Sequence, residues 1–217
     1  MDLGHYKSAV FDCDGVILDS NGMKSAAFRR SLEGEDPALV DRFIRYHQAN
    51  GGVSRYVKFL HFFREMKRVP DFEKRAEETM RHYSALSREG LFGCRLIPGV
   101  LETVKSFHGR GVPCHVLSGG DQEEILSVFA ARELSRHFEK ILGSPKTKEE
   151  NLALLEKEGW LRRPGVYFGD ARADFEAARR FNLDFVFVEP FSEWGEGKKT
   201  CEKEGWPVVT DFTSLRR

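Results

Sequence analysis

Hydrophobic and polar positions follow two different rhythms along this chain. Short apolar runs at residues 6–11, 112–117, 138–142, 165–168 and 184–188 read as buried strands. Between the later runs the apolar period lengthens to that of a helix. Pro98-Gly99 precedes Val100, Leu101, Val104 and Phe107, while Asp121 and Glu124 form a capping pattern ahead of Ile125, Leu126 and Phe129. Thr147 and Glu150 repeat that pattern ahead of Leu152, Leu154 and Leu155. Strand and helix in alternation predict an α/β fold, a doubly wound parallel sheet with helices on both faces. Functional groups in such a sheet gather at the carboxyl ends of its strands.

Residues 22–94 lack strand-like alternation and read as several amphipathic helices. RYVKFLHFF places Tyr56, Phe59, Leu60, Phe62 and Phe63 on one broadly apolar helix, and DFEKRAEETMRHYSAL spaces Phe72, Ala76, Met80 and Tyr83 helically. The aromatic cluster reads as the core of a helical unit. The division expected is a core of residues 1–20 and 95–217, with a helical cap, residues 21–94, inserted after the first strand. Gly195, Gly197 and the charges around Lys198 predict an exposed loop near the end of the chain.

Composition narrows the possibilities. A chain of 217 residues with 41% hydrophobic content can bury a sizeable core. Lys plus Arg equals Asp plus Glu at 34 each, which gives no electrostatic argument for nucleic acid or an acidic membrane surface. Cys13, Cys94, Cys114 and Cys201 have no metal-ligand spacing. With no membrane-length apolar stretch and no leader-like N-terminus, a reduced, cytoplasmic, soluble protein is expected.

The chemistry concentrates in four short stretches. In VFDCDGVILDS, Asp12 and Asp14 close the first apolar run, and Gly15 lets the backbone turn behind them. Two carboxylates this close repel unless a proton or cation lies between them. The pair points to a hard, oxygen-preferring ion such as Mg²⁺, to acid–base chemistry, or to both. VYFGDARAD ends another strand with Asp170 and carries Asp174 in the first turn of the next helix. HVLSGGD sets Ser118 before a glycine pair at the expected start of a helix, where a hydroxyl and free amides suit a phosphate. GSPKTKEEN brings Lys146 and Lys148; the capping pattern puts Lys148 at the first helical position and favours it for the site.

In order, these stretches present Asp-x-Asp, Ser, Lys and Gly-Asp-x-x-x-Asp. The series resembles the haloacid dehalogenase superfamily of aspartate-nucleophile phosphohydrolases over nearly the whole chain. The insert is similar in position to the helical cap of its β-phosphoglucomutase-like branch, and GGVSRYVKF is similar to that branch's substrate-specificity loop. The resemblance implies that Asp12 attacks phosphorus and that Asp14 serves as acid and then base. It also implies Mg²⁺ held by Asp12, the carbonyl of Asp14 and Asp170, with Asp174 orienting the metal shell. Ser118, the Gly119 amide and Lys148 would hold phosphoryl oxygens, and Arg55 would meet an anionic group as the cap closes. Dehalogenases of the superfamily lack an aspartate at the place of Asp14, so a phosphate substrate is expected. Lys24 stands where β-phosphoglucomutases carry histidine. The implied function is Mg²⁺-dependent hydrolysis of a small phosphorylated metabolite, such as a sugar phosphate. A sugar-phosphate phosphomutase is the second reading, and a noncatalytic regulatory or binding module on the same scaffold the third.

Overall fold

The computed structural model describes residues 1–215. Six strands form its centre: β1 (Ser8–Phe11), β2 (Cys114–Asp121), β3 (Lys140–Ser144), β4 (Gly165–Gly169), β5 (Asp184–Val188) and β6 (Val208–Val209). All neighbours are parallel, in the order β3-β2-β1-β4-β5-β6. Five of these strands coincide with the apolar runs. The sixth, Val208–Val209, is too short to leave a pattern and is recruited by pairing with Phe187 and Val188.

Every residue of β1 is buried, as a central parallel strand covered on both faces requires. Its alternating side chains enter separate cores. Ala9 and Phe11 join Val116, Phe168 and Val186 on one face; Val10 joins Leu117, Tyr167 and Phe185 on the other. The Phe11 ring stacks on Phe168 at 4.8 Å between centroids, tying β1 to β4 beneath the site.

Between β1 and β2 lie α1 (Asn21–Ser31), α2 (Pro37–Ala49), α3 (Arg55–His61), a π turn over Phe62–Met66, α4 (Phe72–Gly93) and α5 (Val100–His108). Helices α6 (Gln122–Ala131), α7 (Lys148–Lys157), α8 (Arg172–Arg180) and α9 (Gly197–Lys203) follow among the remaining strands. Val104 and Phe107 of α5 and Val128 of α6 cover one sheet face, whereas Leu152 of α7, Ala177 of α8 and Cys201 of α9 cover the other. The sheet is therefore doubly wound. Helix α9 replaces part of the exposed loop expected near Lys198, because Gly197 is buried against Phe187 and Trp194.

Helices α1 to α4 enclose a third apolar cluster, centred on Phe28, Phe43, Phe59, Phe62 and Tyr83. Leu60 does not join it: at 38% exposure it faces outward with Val57. Asp36 caps α2 ahead of Pro37, Ser54 caps α3, and Thr147 with Glu150 completes both halves of the α7 capping box. The box expected at α6 is only half formed. Asp121 accepts from the Glu124 amide at 3.1 Å, but the Glu124 carboxylate is drawn away to Arg55 and Ser87 of the helical layer. Tyr56 donates to Asp121 at 2.5 Å beside that bridge, so the helices close over the carboxyl ends of the strands. No helix among the described residues is long and apolar enough to cross a membrane.

Candidate active site

The end of β1 fixes the floor of the site. The Asp12 amide donates to the Phe168 carbonyl at 2.9 Å, extending the pairing with β4 by one residue. Three residues on, Gly15 has φ +75°, and a Cβ there would lie 2.4 Å from Asp170 Oδ2. Only glycine lets the turn pass so close to the carboxylate. Lys148, at the first position of α7, donates to Asp12 Oδ1 at 2.8 Å and also to Asp174 Oδ1. Asp174 is further held by the Tyr167 hydroxyl at 2.8 Å and the Ala171 amide at 3.0 Å. Asp170 accepts from Asn21 Nδ2 at 2.6 Å.

Carboxylate oxygens of Asp12, Asp170 and Asp174 lie within 4.8 Å of one another, all buried. Burial pushes Asp12 up to about 7, with Lys148 pulling the other way and Asp174 and Asp14 adding repulsion. Burial, then Asp12, hold Asp170 well above the ordinary carboxylate range. Three buried carboxyl groups thus face one lysine. All-oxygen donors with excess negative charge suit a hard divalent cation such as Mg²⁺. Asp174 already has three hydrogen-bond donors, which leaves Asp12 and Asp170 the freer oxygens.

Asp14 points elsewhere. Ser20 Oγ donates to its Oδ1 and Lys24 Nζ to its Oδ2, both at 2.5 Å. Burial works against its ionisation, but Lys24 and then Ser20 hold it below the ordinary value. Its carboxylate therefore lies outside the three-carboxylate group, so a metal role would fall to its main-chain carbonyl. A cavity of about 50 Å³ opens above this floor, with Asp12, Asp14, Gly119 and Asp170 on the core side. Lys148, Asp174 and Ser118 stand behind these groups, and Lys146 is on the surface.

The glycine pair departs from its expected setting. Strand β2 continues through Ser118, Gly119 and Gly120 to Asp121 with a register shift, and α6 begins only at Gln122. Ser118 Oγ accepts from the Gly120 amide at 3.0 Å, a local turn within an irregular strand end. A Cβ on Gly119 would stand 2.2 Å from the Gly52 carbonyl oxygen, so the absence of a side chain lets the helical layer descend onto the sheet.

Arg55, Lys58, His47 and Lys24 form the roof of the cavity. The Arg55 guanidinium is committed to Glu124 at 2.8 Å and Ser84 at 2.9 Å and lies over the Tyr83 ring. A substrate anion would compete with Glu124 for it. Asn21, Lys58, His47 and Glu193 also reach the cavity from outside the four motifs. Asn21 follows Ser20 at the entry to α1, but the other three carry no motif.

The fold agrees with the comparisons. The family of haloacid dehalogenase-like hydrolases matches residues 9–188, and the chain belongs to that family. It is 23% identical to a phosphoglycolate phosphatase of Shigella boydii, over 88% of this chain and 84% of that protein. Identity to a phosphorylated carbohydrates phosphatase of Thermotoga maritima is also 23%, over 83% of this chain and 84% of the relative. In structure it is similar to a hydrolase from Pseudomonas syringae, with a TM-score of 0.75 at 21% identity, covering 95% of this chain and 94% of the other.

Proposed function

We propose that this protein is a Mg²⁺-dependent phosphatase that hydrolyses a small phosphorylated metabolite through an aspartyl phosphate on Asp12. The reading rests on one observation above all. Asp12 opens onto the cavity while Lys148 holds one of its oxygens, with Asp170 and Asp174 alongside. The relatives' names, phosphoglycolate phosphatase and phosphorylated carbohydrates phosphatase, support the reaction class.

Asp12, Asp170 and the Asp14 carbonyl would hold the ion, with Asp174 keeping Lys148 and the 171–174 turn in place. When bound, the ion supplies positive charge opposite the phosphoryl oxygens. In the first step an Asp12 oxygen forms a bond to phosphorus and the ester P–O bond breaks. The leaving oxygen takes its proton from Asp14, which enters this step carrying the proton it took from water in the preceding turnover. Asp14, returned to the carboxylate that Lys24 and Ser20 favour, then removes a proton from water. That water attacks phosphorus, the aspartyl P–O bond breaks, and inorganic phosphate leaves with Asp12 restored. Lys148 and the Gly119 amide stabilise phosphoryl charge, and Ser118 shapes the strand end that presents Gly119. Arg55, bridged to Glu124, holds the helical cap of residues 21–94 over the core and excludes water.

The test is phosphate release from p-nitrophenyl phosphate with and without Mg²⁺, comparing the natural protein with Asp12→Asn. Magnesium-dependent turnover that falls by at least about 10⁴-fold in the variant is expected. Equal turnover by the variant, or turnover indifferent to magnesium, would overturn the mechanism.

A further inference from the structure

Four basic side chains stand on or against the cavity, and none is more than 7% exposed. Three of them have a carboxylate of the protein in contact. Lys24 meets Asp14 at 2.5 Å, Arg55 meets Glu124 at 2.8 Å and Lys148 meets Asp12 at 2.8 Å. Lys58 has none. Among the described residues no carboxylate comes within 4.0 Å of its Nζ, which lies 2.8 Å from His47 Nδ1 and 3.4 Å from the His47 carbonyl oxygen. An ammonium carries three donors, so one remains for whatever fills the cavity.

The head of Lys58 is also held in place from behind. With Nδ1 accepting from Lys58, the His47 proton is assigned to Nε2, which reaches Ser25 Oγ at 3.0 Å. The Ser25 hydroxyl donates in turn to Glu193 at 2.6 Å. This chain orients the lysine without neutralising it at close range. Beneath it lies the Phe28 ring, 5.6 Å from Nζ, an apolar wall that offers the charge no competing oxygen.

We propose that Lys58, oriented by His47, receives a second anionic group of the substrate, a carboxylate carried one or two carbons from the phosphate ester oxygen. The inference rests on the phosphatase reading and narrows its substrate class to short phosphorylated acids. A buried ammonium facing only neutral acceptors keeps most of its desolvation cost, whereas an ionised partner compensates it directly. Burial, with Lys24 next in effect, pushes the Lys58 amine down to about 7, as expected of a cation still lacking its counter-charge. Size sets the length of the substrate. At about 50 Å³ the cavity is small, which favours a short acid over a larger substrate.

Matched pairs of probes separate the carboxylate from everything else. With Mg²⁺ and the full chain, kcat/KM is measured for 2-phosphoglycolate against 2-hydroxyethyl phosphate, and for 3-phosphoglycerate against glycerol 3-phosphate. p-Nitrophenyl phosphate serves as a check on the chemistry. The natural protein is expected to favour the acid in at least one pair by roughly 10- to 100-fold, the range of a hydrogen bond to a charged group. In Lys58→Met that ratio should fall below about 3, chiefly through a higher KM for the acid; Lys58→Gln, which keeps a polar tip, provides a second variant. A ratio near 1 in the natural protein, or an unchanged ratio in both variants, overturns the role of Lys58 and leaves the phosphatase reading standing. No phosphate release from any probe, p-nitrophenyl phosphate included, overturns the phosphatase reading and the inference with it.

Discussion

The floor and the roof of the cavity handle charge in opposite ways. Below, Asp12, Asp170 and Asp174 crowd around Lys148, leaving negative charge in excess where strand ends converge. Above, Lys24, Arg55 and Lys58 bring positive charge from helices, and the first two reach down to carboxylates of the core. The floor matches what every substrate of the proposed reaction shares, a cation and a phosphoryl group. The roof matches what distinguishes one substrate from another. A site so divided can keep its chemistry while its helices change.

The largest effect should come from breaking the strut between the two. Glu124→Ala leaves Arg55 buried at 4% exposure without its carboxylate, which costs about 3 to 5 kcal/mol. Thermal denaturation should show the melting temperature falling by roughly 2 to 4 °C per kcal/mol. Pairing Arg55→Met with Glu124→Leu should recover most of the loss, since apolar replacements remove both desolvated charges. A fall below 1 kcal/mol in the single variant would mean that the roof is held by its aromatic cluster alone.

Lys148→Met tests the floor. Removing one preorganised positive group should lower kcat by roughly 10²- to 10³-fold, about 3 to 4 kcal/mol, with the helical layer still folded by circular dichroism. If kcat holds and only KM rises, Lys148 grips the ground state alone and its place beside Asp12 has no catalytic weight.

The smallest effect concerns acid and belongs to the sheet beneath. His115 in β2 is fully buried, with neither ring nitrogen hydrogen-bonded among the described residues, and its ring sits 5.8 Å from that of Trp160. Burial pushes its pKa down to about 4 from an ordinary 6.5. As pH falls below 6.5 the unfolded chain takes up a proton that the folded chain refuses. The contribution of His115 should therefore be level above pH 6.5 and decline toward pH 4, by up to about 3 kcal/mol. Urea midpoints measured across that range should fall for the natural protein and less steeply for His115→Leu; parallel curves would place the acid-sensitive group elsewhere.

The same division explains what was legible in the sequence. β1 could be read because its apolar run is continuous, and Asp12, Asp14 and Asp170 because each sits where such a run stops. Lys148 followed from the Thr147–Glu150 box, a local pattern that folded as written. Glu124 did not, since a partner 69 residues away outbid the local cap, and no local pattern records such a competitor. Lys58 and His47 were equally hidden. They share a turn of neither helix nor strand, and the buried chain from Lys58 to Glu193 exists only after four helices have packed around Phe43 and Phe59. Ser118 was expected just ahead of a helix start and lies within a strand, because a strand irregularity and a helix start look alike around two glycines.

The Gly52 carbonyl occupies the space where residue 119 would carry its first side-chain atom, so one methyl group there would wedge the two halves apart. At this point the seam has no room for another atom. Any parting of the halves would break the Arg55–Glu124 and Tyr56–Asp121 contacts, and closing would remake them. If turnover includes such a parting, its pace sets a ceiling on the rate however fast the chemistry inside becomes.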